Sequence, residues 1–175
     1  MPITYRPATR SDLDGILEVF LACWRDSYAA VLPRRLVETM TDAYAGELWV
    51  NALDGSVSGE VIVAEETFTA TILGVTRFAV GAQGDGVVHS LYVSPMAQGR
   101  GVGSRLLVEA SRALSAAGAS TAHLWVFTDN APSVAFYGRQ GWLPDAATRV
   151  QEEFGELESR LVRTLAKYPP KGLQP

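Results

Sequence analysis

Val87-Val88-His89-Ser90-Leu91-Tyr92-Val93-Ser94-Pro95 runs on through Met96 and Ala97 into Gln98-Gly99-Arg100-Gly101-Val102-Gly103-Ser104. A β-forming run halts at a proline, a loop with alternating glycines follows, and a strongly helical segment begins at about Ser104. That order gathers free backbone N–H groups at a helix N-terminus, where a phosphate group can sit. Glycine suits such a loop because a residue without Cβ takes φ > 0 freely and lets the main chain approach an anion.

Outward from this stretch the chain alternates between strand and helix signals. Upstream, Ile3–Arg6 alternates and stops at Pro7, as a short strand would. Ser11 is positioned to cap a helix carrying Leu13, Ile16, Leu17, Phe20, Leu21 and Trp24 at helical spacing. Pro33 is expected to open a shorter helix through about Met40, and Leu48–Gly59 reads as a turn-rich connection. Val61–Ala64 and Thr71–Ala79 read as a strand pair, with a loop at Gly81–Gly86 before the signature strand.

Downstream, Leu106, Leu107, Ala110, Leu114 and Ala117 form one apolar helical face, closed by Gly118. A strand over Thr121–Thr128 and a helix over Ala131–Gln140 follow, the latter stopping at Gly141. Strands around Trp142 and over Leu157–Leu165 complete the pattern, before an irregular tail from Tyr168 to Pro175. Strands first, then strand–helix–strand–helix, predict an α/β (α+β) fold with a mixed sheet. One domain over residues 1–167, with residues 168–175 as tail, is the expected organisation.

Composition narrows the function. The 175 residues carry a net charge of −4 and no long basic run, which disfavours nucleic acid as a partner. One cysteine excludes an internal disulfide, and two histidines with that cysteine cannot make a conventional zinc site, so no metal is expected. Cys23 lies among apolar helical residues and reads as a packed side chain. Neither a signal segment nor an apolar run of membrane-spanning length is present, so no membrane association and a cytoplasmic protein are expected.

Two common phosphate motifs fail on this loop. A P-loop requires a Gly-Lys-Ser/Thr ending, and here Gly103-Ser104-Arg105 stands instead. The dinucleotide fingerprint requires Gly-x-Gly-x-x-Gly, against Gly99-x-Gly101-x-Gly103, and no acidic residue lies in Gly118–Thr121 to take a ribose. Gln98-x-x-Gly101-x-Gly103, following Leu91-Tyr92-Val93-x-Pro95, resembles the signature loop of the GCN5-related N-acetyltransferase (GNAT) superfamily. Asn130-Ala131-Pro132-Ser133-Val134-Ala135-Phe136-Tyr137, ending in Gly141-Trp142, resembles that family's second motif. Ile3-Thr4-Tyr5-Arg6-Pro7-Ala8-Thr9 with Asp12 resembles its opening, so the likeness spans most of residues 3–165.

The resemblance implies a mostly antiparallel sheet of six to seven strands with a splayed central pair, flanked by about four helices. It implies acetyl-CoA (coenzyme A) as cofactor. The pyrophosphate would be held by Gln98, Gly99, Arg100, Gly101, Val102, Gly103 and Ser104, with Arg105 and Arg112 adding positive charge nearby. The pantetheine arm would lie along the main chain of Leu91, Tyr92 and Val93. Tyr137 matches the family's acid that protonates or hydrogen-bonds the leaving thiolate. Asn130 is a helix cap or a cofactor contact.

A base must remove a proton from the acceptor ammonium. His89 is the first candidate, on one face with Val87, Leu91 and Val93 by alternation; Glu60, Glu65, Glu66 and His123 are the others. Trp24 and Tyr28 are placed in the acceptor pocket, with Trp49 beside them. Asp26, Asp42 and Glu47 are the acids available to pair with a cationic amine. The implied activity is direct acetyl transfer to a primary amine, on a small molecule or peptide, in a ternary complex. The alternative is a non-catalytic acyl-CoA sensor or partner-binding domain on the same fold. The resemblance also admits a homodimer.

Overall fold

Strand β1 (Ile3–Pro7) ends at its proline, and the Ala8 amide then reaches the Val61 carbonyl at 2.8 Å. The computed structural model describes residues 2–55 and 60–167, so the expected tail at Tyr168–Pro175 and the end of the connection at Gly59 lie outside the described residues. Thr9, rather than Ser11, opens the first helix. The Asp12 carboxylate accepts from the Thr9 backbone amide at 2.7 Å and from the Thr9 hydroxyl at 3.1 Å. This side-chain clamp starts a short 3-10 turn that leads into α1 (Leu13–Ala22). The helix then widens into a π-helical stretch, Cys23–Tyr28, a rare geometry found mostly at functional sites.

Helix α2 (Arg34–Thr39) follows Pro33 as its N-terminal proline predicts. The turn-rich connection expected from Leu48 is instead the second half of a helix, α3 (Asp42–Gly55). Thr41 caps it through its hydroxyl, 3.2 Å from the Tyr44 amide. Ala45, Trp49 and Ala52 are its buried stripe, spaced by four and three residues. Two of those three positions are alanine, which gives a faint hydrophobic signal but fits a helix packed closely on α1.

The remaining elements fall where their patterns predict, within a few residues, except that the strand expected around Trp142 leaves that residue out and runs on to Gln151. They are β2 (Val61–Glu66), β3 (Thr71–Val80), β4 (Gly86–Val93), α4 (Val102–Ala116), β5 (Thr121–Phe127), α5 (Ala131–Arg139), β6 (Leu143–Gln151) and β7 (Glu156–Thr164). The strands form one seven-stranded sheet in the order β1-β2-β3-β4-β5-β7-β6. Every pairing is antiparallel except β4 with β5.

Each sheet face carries its own apolar core. Leu106, Leu107, Ala110 and Leu114 of α4 pack on Leu73, Phe78, Val88, Leu124 and Leu161. On the opposite face, Ile16, Phe20, Trp24, Leu36 and Trp49 pack on Val61, Val63, Ile72 and Val75. Burial of these side chains on both faces is the main force holding the sheet flat between its helices.

One expectation about β4 fails. Val88 sits opposite Phe78 and Ser90 opposite Arg77, so His89 is the extra residue of a β-bulge. The bulge breaks the period of two. Val88, Leu91 and Val93 share the α4 face, Tyr92 joins the other core, and His89 is no longer on the face of Leu91 and Val93.

Candidate active site

The parallel contact between β4 and β5 lasts for three residue pairs, Gly86–Ala122, Val87–His123 and Val88–Leu124, and then stops. Among the described residues, no strand pairs with β4 on that side from His89 onward. Main-chain groups along Leu91–Val93 therefore border an open wedge instead of a neighbouring strand. Two cavities flank the wedge, one of about 650 Å³ and one of about 250 Å³. Tyr28, Leu91, Tyr92, Asn130, Ser133 and Tyr137 line both.

The larger cavity ends at the glycine loop. Gly99 and Gly101 both have φ of +77°, with open space where a Cβ would lie, so conformation and not crowding selects glycine there. Gly103 is glycine for a different reason: a Cβ would come within 3.2 Å of Phe136 and 3.3 Å of Val93. Close packing of α4 against α5 and β4 thus depends on it. Gly101 is the N-cap of α4, and the first main-chain bond into the helix runs from the Arg105 amide to the Gly101 carbonyl at 3.0 Å. The amides of Val102, Gly103 and Ser104 precede it and have no intrahelical acceptor. With the positive end of the helix dipole behind them, they fit a pyrophosphate.

Other loop residues divide. Gln98 lines the cavity, and its amide nitrogen reaches the Ser27 hydroxyl at 3.1 Å, tying the loop to the π-helical stretch. Arg100 turns away: its guanidinium meets Glu66 at 3.3 Å, and it does not line the cavity. Arg105 and Arg112 both pair with Glu109 on α4. The cation that does line this cavity is Arg139 in the last turn of α5, which sequence reading passed over. Its signal was its place two residues after Tyr137.

Asn130 both caps and lines. Its side-chain oxygen accepts from the Ser133 amide at 3.3 Å, fixing the start of α5, and the residue is 3% exposed in the wall of both cavities. Helix α5 then presents Tyr137 to the wedge. Burial raises the Tyr137 phenol above its ordinary value of 10, and Tyr28 and Tyr92 are raised in the same way. All three are therefore hydroxyl donors across the physiological range.

Cys23 is buried, its thiol donates to the Val93 carbonyl at 3.1 Å, and burial pushes its pKa up to about 11. It is a poor nucleophile in that state.

Of the candidate bases, His89 alone lines a cavity, the smaller one. His89 is exposed on β4; partial desolvation lowers its pKa below 6.5, helped by the Arg77 guanidinium, His123 and Arg149, and opposed by Glu60. His123 itself is held 2.7 Å from Asp85. Glu65 is engaged by Arg6, and Glu66 by Thr69 and Arg100. Trp24 and Tyr28 also line the smaller cavity. Trp24 is only 3% exposed and stacks among Phe20, Tyr28 and Phe154, so it shapes the wall from within. Trp49 is fully buried in the core below.

Residues 13–142 match the model of the acetyltransferase (GNAT) family, and the chain belongs to that family. It is 25% identical over 144 residues to the spermidine N(1)-acetyltransferase of Thermoplasma acidophilum, covering 81% of this chain and 89% of that protein. Its fold is similar to the PaiA N-acetyltransferase of Thermoplasma acidophilum in complex with coenzyme A, with a TM-score of 0.69, 18% identity, and coverage of 91% and 98% of the two chains. A Salmonella typhimurium protein, yncA, solved with its cofactor acetyl-CoA, gives a TM-score of 0.68 at 19% identity, covering 98% of this chain and 99% of that one. The family's cofactor is acetyl-CoA. Among the described residues, no helix is long and apolar enough to cross a membrane.

Proposed function

We propose that this chain acetylates a primary amine directly, in a ternary complex with acetyl-CoA. The observation that carries this reading is the wedge after Val88. The N-terminus of α4, with its unpaired main-chain amides, stands at one end of it, and Tyr137 lines both cavities. Acetyl-CoA supplies an activated thioester when bound. The amides of Val102, Gly103 and Ser104 would hold its pyrophosphate, and the open edge of β4 at Leu91–Val93 would align the arm and polarise the thioester carbonyl.

His89, neutral at pH 7, takes the proton of the acceptor ammonium, directly or through one water. The amine nitrogen would form its bond to the acetyl carbon as the carbon–sulfur bond breaks; Tyr137 would give its proton to the departing thiolate, and the second proton, shed by the nitrogen as the amide forms, would return Tyr137 to its phenol through solvent. The protonated, buried thiol of Cys23 argues against an acyl-enzyme. A cytoplasmic setting fits the donor.

Calorimetry with acetyl-CoA and thiol release over a panel of amines test the reading together. Binding with amine-dependent thiol release is the expected result. Lack of binding at millimolar ligand would exclude the donor, and tight binding without thiol release would leave a sensor. Tyr137→Phe should lower kcat on the order of 10²-fold while changing acetyl-CoA affinity little. An unchanged kcat would remove Tyr137 from the acid role.

A further inference from the structure

The smaller cavity is built in a way that selects among amines. Its volume, about 250 Å³, is below that of sites taking drug-sized ligands, roughly 300–1,000 Å³. Its walls include Trp24, Tyr92, Trp125, Phe127 and Phe154. Phe154 comes from the turn between β6 and β7 and folds back to within 5.4 Å of the Trp24 ring and 6.2 Å of the Phe127 ring. The hairpin thus roofs a small aromatic chamber.

Among the described residues, one guanidinium lines the chamber, that of Arg149, whose side chain is 49% exposed. Phe127, Glu158 and Arg149 stand directly opposite one another across β5, β7 and β6, so their side chains share one face. Arg149 donates through Nε to Glu158 at 2.7 Å, and its guanidinium carbon sits over the Trp125 ring, 4.3 Å from the centroid. These contacts fix the plane of the fork and leave both terminal nitrogens without a hydrogen bond among the described residues. The cavity's two carboxylates are already engaged, Glu158 by Arg149 and Glu153 by the Gln151 amide at 3.3 Å. Glu158 is paired with Arg149, whereas Glu153 keeps its charge beside a neutral amide; a planar anion would find at Arg149 a bidentate donor already held through Nε.

We infer that the acceptor is a small amine bearing its own carboxylate, an α-amino acid or close analogue with an apolar side chain. The carboxylate is taken by Arg149 and the side chain by the aromatic walls. This rests on the acetyltransferase reading and adds the class of substrate to it.

Paired substrates separate the two. Leucine, methionine and phenylalanine are each assayed for thiol release beside the amine lacking the carboxylate, with spermidine included. The amino acids should be preferred in kcat/KM by about ten- to a hundred-fold. Arg149→Gln should collapse that preference by raising KM for the amino acids only, with acetyl-CoA affinity by calorimetry unchanged. A merely structural defect would slow both members of each pair alike and leave the ratio intact; that outcome overturns the assignment. So would equal or better use of the decarboxylated amines or of spermidine. Silence toward every amine would overturn the acetyltransferase reading itself.

Discussion

His89 owes its position to one surplus residue. Without the bulge, β4 would carry it into the α4 core beside Leu91 and Val93, where an imidazole would be starved of partners. Displaced by the bulge, it lines the smaller cavity, where desolvation and the Arg77 guanidinium hold its pKa below 6.5. A depressed histidine is neutral above that pKa and loses its proton-accepting role as pH falls through it. The pH profile of kcat/KM should therefore rise on an acidic limb centred below 6.5 and level off before pH 7. His89→Gln should lower the plateau and abolish the limb; a limb that survives the substitution assigns the titration to another group. The raised phenols of Tyr28, Tyr92 and Tyr137 add no basic limb below pH 10. At this scale the sequence revealed what is local: the loop glycines are read from spacing, and Asn130 and Tyr137 from likeness to the family's second motif. Arg139 and Arg149 escaped because their roles come from where α5 ends and how β6 registers on β7, neither of which is a local pattern.

Among the elements, the glycine loop shows how the same residue type answers two demands. Gly101 is held at φ +77° as the N-cap of α4, where an L side chain costs about 1–2 kcal/mol even in open space. Gly101→Ala should lower stability by about 1 kcal/mol in denaturant titration and weaken acetyl-CoA several-fold in calorimetry. Unchanged affinity would mean that the loop tolerates a relaxed backbone and that its shape is not what binds. The start of α4 at Val102, ahead of the expected Ser104, follows from the same residue, because Gly101 can leave the helix path in one step. Helix α3 was hidden for the opposite reason. Its buried stripe of Ala45, Trp49 and Ala52 contributes little hydrophobic contrast, and the expected connection began in its middle.

For the whole molecule, the order of strand and helix signals was enough to place a mixed sheet, and both cores are made of residues with plain periodicity. The wedge itself was not legible from composition or period; it entered only through likeness to a family, since nothing in Val87–Val93 alone states which partner it will leave. The tertiary fastening of α1 to the sheet also had no sequence signal. Arg6 on β1 bridges Asp12 and Glu65, binding the start of α1 to β1 and β2. The hydrogen bond from Arg6 is the largest of several effects that lower the Asp12 pKa from 3.8 to about 2. A depressed carboxylate contributes stability that is complete above its unfolded pKa and is lost as pH falls through the folded one. Asp12→Asn should therefore unfold earlier than the native chain at pH 7, with the gap in denaturant midpoint narrowing between pH 4 and pH 2. A gap independent of pH would show that the ionised carboxylate, with its Arg6 and Thr9 partners, is not the source of the loss.

The bulge and the three-pair contact between β4 and β5 lie next to each other, and together they divide the sheet mechanically. Strands β1–β4 form one plate and β5, β7 and β6 another, joined along a seam barely three residues long. Helix α4 packs chiefly on the first plate, with its apolar face in the same core as Ala122 and Leu124 of β5. Whatever lodges in the gap acts as a shim, setting the angle between the plates and with it the distance from the phenol on α5 to the free edge of β4.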